Sequence, residues 1–156
     1  LGVTALHSSP LELQRSIPAV APLLKALESS PPLPSCSTPR LLHNDFWPGN
    51  LLWNAGSLVA VIDWEDAALG DPLADLANTR LETLWAYGYD AMHDFTRLYL
   101  RLVSFRPSAL PAWDLHIAMR ASARLGLWRL DTAAESRFRG LLEVFVREAV
   151  DRLSAG

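Results

Sequence analysis

Lysine is nearly missing from this chain: thirteen of its fourteen basic residues are arginine, and Lys25 stands alone. Against seventeen acidic residues the formal charge is -3, so no broad positive field exists to hold a nucleic-acid backbone, and no nucleic-acid partner is expected. Cysteine is equally scarce. The single Cys36 cannot close an internal disulfide, which fits a reducing compartment. No apolar run approaches the ~20 residues of a membrane span, so no membrane partner is expected and the compartment read from the sequence is the cytoplasm. The eight glycines are all isolated, which excludes a Gly-rich phosphate loop of either the Walker or the dinucleotide type. Residue 1 is leucine and no leader pattern succeeds it, so the chain reads as a piece of something longer.

What is present suffices for one packed domain: 156 residues, half of them hydrophobic. Ser9-Pro10-Leu11-Glu12 is a helix start, and Pro18 and Pro22 break or kink the helix it opens. Residues 29–39 are too rich in Pro and Ser to be other than loop. Leu41-Leu42 and Leu51-Leu52-Trp53 flank the polar stretch from His43 to Asn50. A turn at Asn54-Ala55-Gly56-Ser57 leads into the β-branched run from Leu58 to Ile62, which predicts a hairpin. From Asp71 onward the spacing predicts helices: one capped by Asp71-Pro72 and stopped at Gly88, one through Met92 to Val103, one over about 110–130, and a last one opened by a capping box at Thr132 to Glu135.

The hairpin has a chemical consequence. Asn50 stands just before its first strand and Asp63 just after its second, and an antiparallel pair brings those ends together. Asp45 lies five residues before Asn50 on the same loop. Carboxylate and carboxamide oxygens suit Mg²⁺, which keeps few protein ligands and fills its shell with phosphate and water. Asn50 and Asp63 fit that work, leaving Asp45 to accept a proton from a hydroxyl. Trp47 and Trp64 flank the site and are candidate substrate contacts, and Glu65 is a candidate contact to metal or substrate. Trp53 is expected in core packing or in a cross-strand contact. His93 and His116 look incidental, and Asp114 looks like part of a solvated helix face.

His43-x-Asp45-x-x-x-x-Asn50, a short hairpin, Asp63-Trp64-Glu65 and then Gly70-Asp71-Pro72-x-x-Asp75-Leu76-Ala77 together resemble the aminoglycoside phosphotransferase and choline kinase family. The resemblance covers residues 41–77. It implies an α+β, mostly α fold: the helical carboxy-terminal lobe of a protein-kinase-like structure, with a short β-hairpin carrying the catalytic loop. It also implies Asp45 as catalytic base, His43 as the residue steadying its loop, Asn50 and Asp63 as magnesium ligands, and Asp75 as the acidic brace beneath the loop. Trp64-Glu65 stands where protein kinases carry Phe-Gly, which favours a small-molecule substrate.

By the same resemblance the cofactors are Mg²⁺ with ATP or GTP, and the partners are the nucleotide and a small hydroxyl-bearing substrate. No counterpart of the family's amino-terminal, nucleotide-covering lobe precedes residue 39, so residues 1–156 are read as a single carboxy-terminal lobe whose missing half belongs to the same protein. Little or no kinase activity is expected of this chain alone. Two other readings remain: a non-catalytic lobe serving as a binding or dimerisation module, self-associating through its exposed lobe interface, and a metal-dependent hydrolase with His43, Asp45 and Asp63 as ligands.

Overall fold

The computed structural model describes residue 33, residues 38–103 and residues 107–155. The Pro-interrupted helix expected over the first thirty residues, the Pro/Ser loop around Cys36, Lys25 and His7 lie outside the described residues. Within them four short strands precede four helices: β1 (Arg40–Leu42), β2 (Leu51–Asn54), β3 (Ser57–Val61), β4 (Ala68–Gly70), α1 (Pro72–Tyr87), α2 (Tyr89–Leu102), α3 (Leu110–Leu125) and α4 (Thr132–Ser154).

The strands form two nested antiparallel pairs. β2 and β3 make the inner hairpin, with Leu51 opposite Val61 and Asn54 opposite Ser57. β1 and β4 pair around its base, with Arg40 opposite Gly70 and Leu42 opposite Ala68. The inner turn has Ala55 at φ 47° and Gly56 at φ 79°, the positive values that a two-residue hairpin turn of type I′ demands at both centres. Alanine there is strained, because its Cβ crowds the following carbonyl. Ala55→Asn, which creates Asn-Gly, is expected to stabilise the chain by about 0.5–1 kcal/mol, measured as a rise in the urea midpoint.

α1 begins where expected. Asp71 accepts the Leu73 amide at 2.9 Å as its cap, and Gly88 ends it at φ 89°. The apolar face of α1 packs with α3 and α4 into one core holding Leu76, Leu81, Leu84, Leu115, Leu125 and Phe145. Two boundaries differ from the sequence reading. α3 stops at Leu125 with Gly126 as its cap, because glycine adds nothing to the core and weakens a final turn. α4 is capped by Asp131, which accepts the Ala134 amide at 2.8 Å. Glu135 does not reach back to close a capping box and pairs with Arg139 one turn on. Of the two places expected for Trp53, the cross-strand one is observed and the core one is not. It sits across from Leu58 in the register yet is 61% exposed, so it adds nothing to the described core.

The polar interior gives no sign of itself in the sequence. Asp114 is buried in α3, with Arg80 of α1 donating to it from Nε at 3.1 Å. Arg80 also donates to Thr96 Oγ1 at 2.6 Å and to Glu148 at 3.2 Å. His93 is not incidental either: it meets Glu148 at 3.0 Å, so one arginine and one glutamate tie α1, α2, α3 and α4 together.

Candidate active site

β1 delivers the chain into the polar loop at His43. The His43 amide donates to Asp75 Oδ2 and the Asn44 amide to Asp75 Oδ1, both at 2.7 Å. One carboxylate in the first turn of α1 thereby anchors two successive peptide groups, and ionised acceptors make such bonds short and strong. The backbone that aims both amides at Asp75 passes through Asn44 at φ 64°, a conformation asparagine tolerates better than most side chains. Asn44 Nδ2 fixes the far side of the loop by donating to the Asp66 carbonyl at 2.8 Å.

His43 is buried, and both of its ring nitrogens are engaged. Nδ1 accepts the Asp45 amide at 3.3 Å, so the proton sits on Nε2, which donates to the Ile62 carbonyl at 2.9 Å. The ring bridges the loop to the end of β3. Trp64 leans on it at 4.5 Å between centroids and Phe46 meets it edge-on at 6.0 Å. With neither nitrogen spare, His43 does not serve as a metal ligand. Among the described residues no three His, Cys, Asp or Glu side chains group closely enough to hold a metal ion, which removes the basis of the hydrolase reading.

Asn50 closes a single 3-10 turn, Pro48–Asn50, and is buried. Its Nδ2 donates to the Asp45 carbonyl at 2.9 Å and to Asp45 Oδ2 at 3.0 Å, which leaves Oδ1 as the acceptor available to a cation. Its carbonyl accepts the Ile62 amide at 3.0 Å, so Asp63 comes immediately beside it. Asp63 is exposed, at φ 64°. An oxygen from a carboxamide and one from an adjacent carboxylate form a donor set of the hard kind that suits Mg²⁺. The open end of the hairpin therefore gathers Asp45, Asn50 and Asp63. Burial raises the proton affinity of Asp45, the Asn50 bond opposes it, and the nearby Asp63 charge adds to it.

The remaining candidates divide. Trp64 donates from Nε1 to the Val61 carbonyl at 2.9 Å, so its indole is committed to holding the loop. Trp47 is 41% exposed and lies over Gly49, where any Cβ would run into its ring. Glu65 is exposed and has no hydrogen bond among the described residues. One residue escaped the sequence reading. Glu82, seven positions after Asp75 on α1, is largely buried, and burial together with the Asp45 charge pushes its carboxyl up to about 7. The available signal was its spacing, since Asp75, Asn78 and Glu82 recur at one face of α1.

A carboxyl that binds its proton more tightly when folded contributes stability at low pH and loses it as pH rises from its ordinary 4.5 to about 7. Glu82→Gln is therefore expected to match the parent chain near pH 4 and to exceed it by about 1–3 kcal/mol at pH 8, read from urea midpoints at the two pH values.

A model of the family described as "Phosphotransferase enzyme family" matches residues 3–102. The chain belongs to this family. Solved structures of the aminoglycoside phosphotransferase APH(4)-Ia, a thermostable mutant in each case, share its fold. The ternary complex with AMP-PNP and hygromycin B superimposes with a TM-score of 0.56 at 26% identity over 83% of this chain and 43% of that one. The complex with ADP and hygromycin B gives 0.58 at 25% over 86% and 44%. The phosphotransferase fold is thus the kinase-like one, mostly helical with small β-hairpins. Among curated proteins the chain is similar to acyl-CoA dehydrogenase family member 11 of Homo sapiens, 30% identical over 95 residues, and to that of Pongo abelii, 29% over 96. These alignments take in 51% of this phosphotransferase-family chain and 12% of each relative, so it spans a small part of those proteins and under half of the solved ones. No helix among the described residues is long and apolar enough to cross a membrane.

Proposed function

We propose that this chain is the carboxy-terminal, catalytic-loop lobe of a kinase that moves the terminal phosphate of ATP or GTP to a hydroxyl of a small molecule. The observation that carries the reading is the junction at Asn50, whose side chain grips Asp45 while its backbone pairs with Ile62, next to Asp63. Asp45 accepts the proton of the acceptor hydroxyl as that oxygen attacks the terminal phosphorus. The bond to the bridging oxygen breaks, and the nucleoside diphosphate leaves. Asn50 Oδ1 and the Asp63 carboxylate would hold Mg²⁺, which when bound neutralises phosphate charge. His43 and Asp75 act through the backbone by fixing where Asp45 stands, and Trp47 and Glu65 are the proposed contacts to the acceptor.

Phosphoryl transfer depends on positioning and charge stabilisation around the phosphates, and the described residues supply only the catalytic-loop side of that apparatus. The nucleotide-covering lobe belongs to the rest of the same protein, and the 156-residue chain alone is expected to turn over little or no nucleotide. The test is to express the complete reading frame and screen hydroxyl-bearing metabolites for nucleotide- and Mg²⁺-dependent phosphorylation. Robust phosphotransfer by the 156-residue chain alone would refute the division into lobes, and absence of transfer by the complete protein would refute the activity.

A second reading, a non-catalytic lobe acting as a binding or dimerisation module, draws on the exposed apolar hairpin, where Leu52, Trp53, Leu58 and Val59 all face solvent. Exposed apolar side chains gathered on one hairpin favour association. Sedimentation of the pure chain separates the two, since a stable dimer with no phosphotransfer in the complete protein supports the module.

A further inference from the structure

A cavity of about 470 Å³ opens between α1, α2 and α4, with Arg80, Tyr89, His93, Arg97, Glu148 and Arg152 among its walls. Its volume falls within the ~300–1,000 Å³ of small-molecule sites. None of its lining residues belongs to the catalytic loop. Arg80 comes five residues after Asp75 on α1, about 140° further round the helix, so the cavity lies away from the face that anchors the loop. Acceptors in it are spent. Glu148 is the one acid among the lining residues; a carboxylate takes about four hydrogen bonds, and this one already meets Arg80, Arg152, His93 and Tyr89. Donors are in excess, because each guanidinium carries five N–H groups. Among the described residues Arg80 uses three, on Asp114, Thr96 and Glu148. Arg152 uses one, on Glu148, and Arg97 uses one, on Asp94. Two further acids stand close by. Asp114 lies beneath Arg80 in the interior, and Asp94 holds Arg97 at the rim, where both side chains are exposed and such pairing contributes little.

We propose that this cavity is a second ligand site, separate from the catalytic loop, and that it binds the phosphate monoester of a small molecule. The inference stands independently of the phosphotransferase reading. A cavity with donors to spare and its carboxylate filled takes a ligand that brings acceptors and negative charge, and it turns away ammonium compounds, which bring donors to donors. The three guanidiniums come from three helices: Arg80 from α1, Arg97 from α2 and Arg152 from α4. A phosphate monoester has three acceptor oxygens and a charge of about -1.5 to -2 near neutral pH, so it offers an oxygen to each. A carboxylate has two oxygens in one plane and leaves a guanidinium unmet. Arg80 is fixed from behind by its interior bonds, whereas Arg97 and Arg152 sit on the surface and turn toward a ligand at little cost. The rest of the volume takes the organic part of the ester, beside the Tyr89 and His93 rings, which lie 4.3 Å apart between centroids.

The experiment is calorimetric titration of the complete protein, without nucleotide, using phenyl phosphate as the probe and inorganic phosphate and benzoate as its two halves. Phenyl phosphate is expected to bind more tightly than either by about threefold or more. Arg97→Gln combined with Arg152→Gln should weaken it at least about tenfold; Arg80 is left in place because the core rests on it. Asp94→Asn, which releases Arg97, should tighten it about two- to fivefold, a gain that a damaged fold does not produce. The proposal is overturned if phenyl phosphate does not bind, if benzoate or inorganic phosphate binds as tightly, if the double variant binds like the parent, or if Asp94→Asn fails to tighten the complex. No phosphate is transferred in these titrations, so the catalytic reading stands or falls by its own test.

Discussion

Removing the Asp114 carboxylate is expected to cost the fold about 3–5 kcal/mol, enough to leave a chain of this size unfolded or nearly so. The reason lies with its partner. Arg80 and Asp114 are each 1% exposed, so Asp114→Ala strands a guanidinium away from water, with Thr96, Glu148 and the Phe145 ring at 5.6 Å as its remaining company. Replacing both charges with apolar residues of similar volume, Arg80→Met with Asp114→Leu, should recover most of the loss, because the pair's own desolvation consumes much of its attraction. Chemical denaturation of the single and double variants distinguishes the two effects. The same site makes stability depend on pH. Burial pushes the Asp114 carboxyl up to about 6 against the pull of Arg80. The folded chain therefore holds that proton more tightly, and the parent should lose stability relative to Asp114→Asn as pH rises from about 4 to about 6.

Asp45→Asn in the complete protein is expected to lower kcat by about 10²–10⁴-fold with little change in the KM for nucleotide. Asparagine keeps an oxygen for the Asn50 amide, whose Nδ2 also rests on the Asp45 backbone carbonyl, so the loop should retain its shape while losing its proton acceptor. A matching loss with unfolding, or a variant as active as the parent, contradicts the assignment. Far-UV circular dichroism and steady-state kinetics on the same preparation decide it.

The readable part of this protein is the part made by local rules. The inner hairpin comes from a β-branched run and a Gly-containing turn, α1 from an Asp-Pro start and a Gly stop, and the meeting of Asn50 with Asp63 from antiparallel geometry alone. Whatever depends on distant partners is hidden. The pairing of β1 with β4 joins two three-residue strands too short to carry a periodicity. Asp114 looks like any acidic residue of a helix until Arg80, thirty-four positions earlier, is placed against it. Glu82 does not stand out because charge on a helix is usually solvated, and only its burial in the folded chain, with the Asp45 charge nearby, shows otherwise. The cap of α4 lies one residue from its expected place because Asp131 and Thr132 are both good caps, and Glu135 finds an arginine instead of the backbone.

The nesting of one strand pair inside the other also bears on how the chain is made. The bonds that shape the catalytic loop close over 31 and 32 residues, whereas Arg80 waits for Glu148, 68 positions away. As the polypeptide leaves the ribosome, the loop, both strand pairs and their anchoring carboxylate emerge as one uninterrupted stretch, before the helix that seals the interior exists. The chemistry-bearing segment is thus laid down early on a platform completed late, and a stalled or shortened chain would display the loop without the means to keep it.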